Sequence, residues 1–170
     1  METLINKLYS NKEAIKKREE ELARIRSEQN RATTGNFAKM KGNLNWPVQG
    51  RIIEKFGKAR NPDTGVVIEN VGIDIRTTSG APVQSVLDGV VSTVTYIRGH
   101  GNIIIIDHGG GYSTVYAHVD NISVHENEYI QMGDAIASVA IPENNTTAKL
   151  HFEVWGNQKK LNPEHWLIRR

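Results

Sequence analysis

The sequence predicts a mainly β domain behind an N-terminal α-helical arm, and three observations in its 170 residues carry that reading. Glu2 to Asn30 holds no Gly or Pro and is rich in Glu, Lys, Arg, Ala, Leu and Ile, a composition that favours helix. Arg31 to Asn45 turns to Thr, Gly, Asn and Lys, the signature of a connecting segment. After Trp46-Pro47 the chain becomes short β-rich runs separated by Gly, Asn and Asp, too closely spaced for intervening helices. The expected division is a helical arm at 1–31, a linker at 32–45 and a β domain at 46–170.

Within the arm, Leu8, Ile15 and Leu22 recur at seven-residue spacing, with Leu4 and Ile25 on the same stripe. Asn11 and Arg18 fall where a second seam position would be apolar, so the coiled-coil pattern is thin. Glu13 with Lys17 and Glu20 with Arg24 stand four apart, which supports an exposed helix. A partner-binding segment and a solvated helix both fit. Through Lys41 the chain carries ten basic and six acidic side chains, leaving a mildly acidic body within an overall charge of +2. The interleaved acids and the scarcity of aromatics argue against nucleic acid as a partner.

In the body the expected strands are Arg51 to Phe56, Val66 to Glu69, Gly72 to Arg76, Val83 to Val86, Gly89 to Ile97, Asn102 to Asp107, Ser113 to His118, Tyr129 to Met132, Ala135 to Val139 and Leu150 to Trp155. The unbroken branched run Ile103 to Ile106 suits a strand covered on both faces. With no Cys, disulfides, thiolate metal sites and cysteine nucleophiles are excluded, so any metal would need His, Asp or Glu. No apolar run approaches the ~18 residues of a membrane span, and Met1 to Ser10 lacks a signal-peptide layout. A cytosolic protein and an exported one trimmed of its signal both fit. Phosphate loops, nucleotide fingerprints and serine-hydrolase elbows are absent.

Polar, ligand-capable side chains gather at Asn70-Val71-Gly72-Ile73-Asp74, Tyr116-Ala117-His118 and Lys149-Leu150-His151-Phe152-Glu153. Residues two apart on a strand share a face, so Lys149 and His151 project together while Leu150 and Phe152 turn to the core. On residue types alone His118 and His151 read as hydrogen-bonded sheet histidines. His108, in an Asp-His-Gly turn, reads as structural; His100, His125 and His165 read as loop or surface positions. Glu153 shares the face of His151, either orienting its ring or solvated.

These segments resemble the lysostaphin-like LytM zinc endopeptidases, which cut peptide cross-links in bacterial peptidoglycan. The likeness runs from Trp46 to Leu167 through Trp46-Pro47-Val48, Gly72-Ile73-Asp74-Ile75, Gly80-Ala81-Pro82-Val83, Gly101-Asn102, Asp107-His108-Gly109, Tyr116-Ala117-His118, Gly133-Asp134-Ala135-Ile136-Ala137 and Leu150-His151-Phe152-Glu153-Val154. It implies the antiparallel sheet of the duplicated hybrid motif. It also implies zinc-ligand positions at Asn70, Asp74 and His151 and catalytic positions at His118 and Lys149. Asn70 and Lys149 replace histidines there, so the resemblance implies a degenerate site, with no zinc cofactor and no catalytic residue beyond the remnants His118 and Lys149. Lys149 is expected to pair with Asp74 in the space a metal would fill.

Within the family the chain looks most like the EnvC-type murein hydrolase activators, through its charged helical arm, its degenerate ligand set and the ending Leu161-Asn162-Pro163-Glu164-His165-Trp166-Leu167. That likeness implies an exported, periplasmic or extracytoplasmic protein that activates a cell-wall amidase in bacterial cell division. The partner surface would be the old groove, lined by Asn70, Asp74, His118, Lys149 and His151, with Arg98 and Tyr116 nearby. A membrane-anchored division complex, reached through the arm, and peptidoglycan itself are further expected partners. Two alternatives stand: a zinc endopeptidase in which His118 or His100 supplies a replacement ligand, and a scaffold or peptidoglycan-binding LytM module.

Overall fold

The computed structural model describes residues 12–24, 36–143 and 146–169. Helix α1 covers 12–24, the middle of the expected arm; the outer parts of that expectation, with Leu4, Leu8 and Ile25, lie outside the described residues. Ile15 of α1 is exposed. The helix borders a cleft shared with Val94, Val124 and Asn127.

One antiparallel sheet of ten strands organises the body. Its strands are β1 (Arg51–Glu54), β4 (Ile73–Arg76), β5 (Pro82–Gln84), β6 (Gly89–Ile97), β7 (Gly101–Gly109), β8 (Tyr112–Asp120), β9 (Tyr129–Ile130), β10 (Ala135–Val139), β11 (Lys149–Gly156) and β12 (Lys159–Leu161), in the order β1-β4-β11-β8-β7-β6-β9 with β10 beside β5 and β8, and β12 beside β11. β2 (Gly57–Arg60) and β3 (Val67–Asn70) form a separate two-stranded hairpin. Sequence patterning places ten of these strands and misses β2 and β12. Both are short: Gly57-Lys58-Ala59-Arg60 is mostly exposed, and Lys159-Lys160-Leu161 packs only Leu161 against the core, too few positions to impose apolar alternation.

The core lies on one face of the sheet, around Ile73, Ile75, Ile104, Ile106, Leu150 and Phe152. The opposite face carries a smaller apolar cluster of Ile103, Val115 and Ala117, with Ile105 and Trp155 against it. The run Ile103 to Ile106 is therefore covered on both faces, as its lack of alternation predicts.

The expected linker does not stay outside the domain. Helix α2 (Asn36–Lys39) delivers Phe37 to the core at 1% exposure, where its ring stacks on His108 and Tyr112 with centroids 5.0 and 4.9 Å away. Leu44 is fully buried and bridges to Leu167 in parallel pairing. Trp46 Nε1 donates to the Ile168 carbonyl at 2.7 Å. Residues Phe37 to Leu44 thus close the bottom of the domain against its C-terminal segment. Turn-forming composition marked them as a connection, and only the scattered apolar side chains Phe37, Met40 and Leu44 betray the packing.

Candidate functional site

Strand β11 is central to the site because it pairs with β4 on one side and β8 on the other, placing His151 opposite both Asp74 and Ala117. Leu150 and Phe152 are fully buried in the core, and alternation sends Lys149, His151, Glu153 and Trp155 to the other face. There the side chains form a continuous relay. Lys149 Nζ donates to Asp74 Oδ2 at 3.1 Å, the pair expected from the sequence. His151 Nδ1 lies 2.6 Å from Asp74 Oδ1 and its Nε2 2.8 Å from Glu153 Oε2. Trp155 Nε1 donates to Glu153 Oε1 at 2.7 Å.

Carboxylates only accept, so both nitrogens of His151 donate and the ring is an imidazolium. Burial works against that charge, but the hydrogen bonds and charges of Asp74 and Glu153 outweigh it and raise the His151 pKa to about 9. Burial likewise raises the carboxyl of Asp74, at 5% exposure, yet His151 and Lys149 together bring it below its ordinary value. Two cations and two carboxylates thus form a nearly neutral, internally satisfied cluster. Glu153 orients the ring, the first of the two roles its position suggested.

His118 sits where β8 changes partners, from β11 through Ala117 to β10 from Val119. Its φ of 62° lies in the left-handed region, rare for a residue with a Cβ and a mark of functional or switch positions. Its N–H donates to the His100 carbonyl at 3.0 Å, and its own carbonyl accepts from Ala140 at 2.9 Å. Burial, and then the positive charges of Lys149 and His151, push its pKa down, so it is neutral at pH 7. Beside it, a cleft of about 460 Å³ runs past Lys149 between Tyr96 and Ile141.

His100 is exposed on the β6–β7 turn, the loop position its sequence suggested, and it also borders the site. Its ring stands 6.4 Å from that of His118 and 6.3 Å from that of His151, because the β6–β7 turn folds over the end of the groove. The signal was the flanking pair Gly99 and Gly101, both at positive φ, which tightens the turn. Tyr116 corrects the sequence reading: expected near the groove, it is fully buried on the core side, against Phe152 at 5.4 Å, because it follows Val115 and precedes Ala117, which face the site. Arg98 is exposed on the turn and adds no contact to the cluster. Asn70 ends β3; its Oδ1 accepts from Gly72 N–H at 3.2 Å, while its buried Nδ2 has no partner among the described residues. Gly72 is required there, since a Cβ would meet the Phe152 carbonyl oxygen at 2.2 Å.

His108 is structural, as its turn sequence suggested. Nδ1 donates to the Asp88 carbonyl and Nε2 accepts from Thr114 Oγ1, both at 2.7 Å. Thr114 in turn shares a 3.0 Å hydrogen bond with the Tyr116 hydroxyl. Complete burial brings its pKa to about 4.

These two histidines predict a stability maximum near pH 6.5. His151, raised to about 9, contributes fully below its unfolded value of 6.5 and loses that contribution as pH rises through 9. His108, lowered to about 4, contributes fully above 6.5 and loses it as pH falls through 4. Each limb is worth on the order of 3 kcal/mol. Urea unfolding at pH 4.5, 6.5 and 9.5 is expected to show the fall on both sides. His151→Gln should flatten the alkaline limb alone, and an unchanged limb would refute the imidazolium.

Comparison with known proteins follows from this geometry. The profile of Peptidase family M23 matches residues 69–163. The murein hydrolase activator NlpD of Escherichia coli K12 is 36% identical over 126 residues, 74% of this chain and 31% of that protein. The murein hydrolase activator EnvC of the same organism is 25% identical over 136 residues, 80% of this chain and 32% of its own length. Among solved structures, a zinc-containing peptidase from Vibrio cholerae superposes with a TM-score of 0.65 at 33% identity, over 73% of this chain and 40% of that one. The chain spans about a third of the length of the curated relatives it matches. No helix among the described residues is long and apolar enough to cross a membrane.

Proposed function

The chain belongs to peptidase family M23, and from that premise we propose that it is a non-catalytic activator of cell-wall amidases in the bacterial envelope, serving cell division and binding its partner through the degenerate LytM groove. Its antiparallel sheet is the LytM architecture that the motifs imply. The observation that carries the proposal is the commitment of His151: both ring nitrogens are held by carboxylates at 2.6 and 2.8 Å. An imidazolium has no lone pair for a metal. The Lys149 ammonium occupies Asp74 from the other side, and Asn70 offers an amide where borderline-soft zinc favours imidazole. These residues do not fit zinc, and without it nothing activates a water for peptide hydrolysis.

What remains is a preformed concave surface of mixed charge, which suits recognition better than chemistry. Two relatives that align over most of this chain are named murein hydrolase activators, which supports the same direction. In this reading the groove binds a regulatory element of the amidase and stabilises the active conformation, a shift of population. The periplasm follows from that role. The arm, with helix α1, would connect the domain to a membrane-anchored complex.

The test is a peptidoglycan-release assay with a purified amidase. Wild-type protein should raise amidase turnover and release nothing alone. Lys149→Glu should lower activation about tenfold while circular dichroism shows a folded domain. Unchanged activation would refute the groove assignment. Stoichiometric zinc, with peptidoglycan turnover by this protein alone, would establish the endopeptidase reading instead.

A further inference from the structure

The β1 edge of the sheet carries cations that the cluster does not use. Arg51 on β1 stands directly opposite Arg76 on β4, and Arg76 stands opposite Lys149 on β11. Directly opposed residues share a face about 5 Å apart, so three like charges line up across three strands. Lys149 is neutralised by Asp74 at 3.1 Å. Arg51 and Arg76 are exposed, and neither forms an ion pair among the described residues. Gly50 fixes the row, since a Cβ there would stand 2.0 Å from the Arg76 carbonyl oxygen. Like charges opposed in this way cost stability, and a bound anion offsets that cost.

Arg51 also stands at the corner of the sheet. With Trp46, Glu164, His165, Ile168 and Arg169 it lines a cleft of about 560 Å³ between the start of β1 and the C-terminal segment. Arg169 is a third exposed cation without an ion pair among the described residues, and Glu164 is the single acid in the cleft's lining. Beside these charges Ile168 is 41% exposed, and its carbonyl holds the half-buried Trp46 indole at 2.7 Å. Arginines, a tryptophan and an open branched side chain on one rim suit a lipid–water interface. Guanidinium forks grip phosphate bidentately, while the apolar side chains meet the acyl boundary. A soluble phosphate polymer has no use for Ile168.

We infer that this edge is a peripheral membrane contact, and that its ligand is the phosphate headgroup layer of an anionic phospholipid bilayer. Charge complementarity selects the anionic lipid, and the exposed Ile168 selects a bilayer over a free phosphate. The contact needs no spanning helix. Strand β11, which carries the groove, lies two strands in from β1, so the edge can meet a bilayer while the groove stays open. The inference does not depend on the activator reading, because lipid binding is measured with no amidase present.

The experiment is co-sedimentation of the whole chain with vesicles of phosphatidylglycerol and phosphatidylethanolamine, against vesicles of phosphatidylcholine alone. Wild-type protein should bind the first and not the second. The Arg51→Gln/Arg76→Gln double variant should weaken binding about tenfold or more and keep or raise the melting temperature, because an opposed pair of like charges is gone. Ile168→Ser, which changes no charge, should weaken it about fivefold or more. Lys58→Gln/Arg60→Gln removes the same charge from the exposed face of the β2–β3 hairpin and should bind like wild type. Equal weakening by that hairpin variant would show a response to net charge alone and overturn the edge. Full binding by Ile168→Ser, with soluble polyphosphate competing as well as vesicles, would identify a phosphate site and overturn the bilayer. Absence of wild-type protein from the anionic vesicle pellet overturns the inference outright, and leaves the groove reading to its own lipid-free activation assay.

Discussion

Replacing Asp74 with Ala is expected to lower the unfolding free energy by about 3 kcal/mol, because it removes the one carboxylate shared by two cations and leaves His151 and Lys149 facing each other. Asp74 is buried and accepts from both partners, at 2.6 Å from His151 and 3.1 Å from Lys149. The result is read from urea unfolding at pH 6.5, where the imidazolium contributes in full. A second reading separates the electrostatic cause from simple loss of packing: the His151 ring titration, followed by proton NMR, should move from about 9 to a clearly lower pH in Asp74→Asn. A loss below about 1 kcal/mol, in the range of an exposed ion pair, together with an unmoved titration would show that Glu153 alone holds the ring.

Phe37→Ala is the second large effect, expected to destabilise the domain by about 3 to 5 kcal/mol and to lower its melting temperature by roughly 10 °C. The ring is 1% exposed and packs between His108, Tyr112 and Trp166 at centroid distances of 4.9 to 5.0 Å. Helix α2 has only four residues and cannot persist without that anchor. Deleting residues 1–45 should reproduce the loss, whereas deleting 1–24 should not. Equal stability of the two truncated chains, measured by calorimetric melting, would show that 36–45 is the linker its composition suggests.

The fold was legible where periodicity is imposed by a buried face. Gly89 to Ile97 and Ala135 to Val139 were read with the bounds that the strands have, and Ile103 to Ile106 announced cover on two sides. Legibility failed at β2 and β12, which are short and bury little, and at Phe37, where a single aromatic packs from within a turn-rich run. In the site, the pairing of Lys149 with Asp74 followed from the family resemblance and charge, and the position of Glu153 beside His151 from strand alternation. His100 reads as a loop position and is one, on a turn that folds over the groove. Tyr116 was misplaced: it leaves the groove by one step of alternation on a strand buried on both faces.

By itself the sequence determined the residue chemistry: zero Cys, Asn70 and Lys149 at positions where the resemblance implies histidines, and a family match that needs only the order of motifs along the chain. Tertiary structure alone decided what those residues do to one another. Whether His151 presents a lone pair or a proton depends on two carboxylates, one 77 residues away on β4 and one two residues away on its own strand. Hydrogen-bond direction and proton occupancy are set by neighbours across strands, so no linear pattern records them; the register of β4 against β11 does.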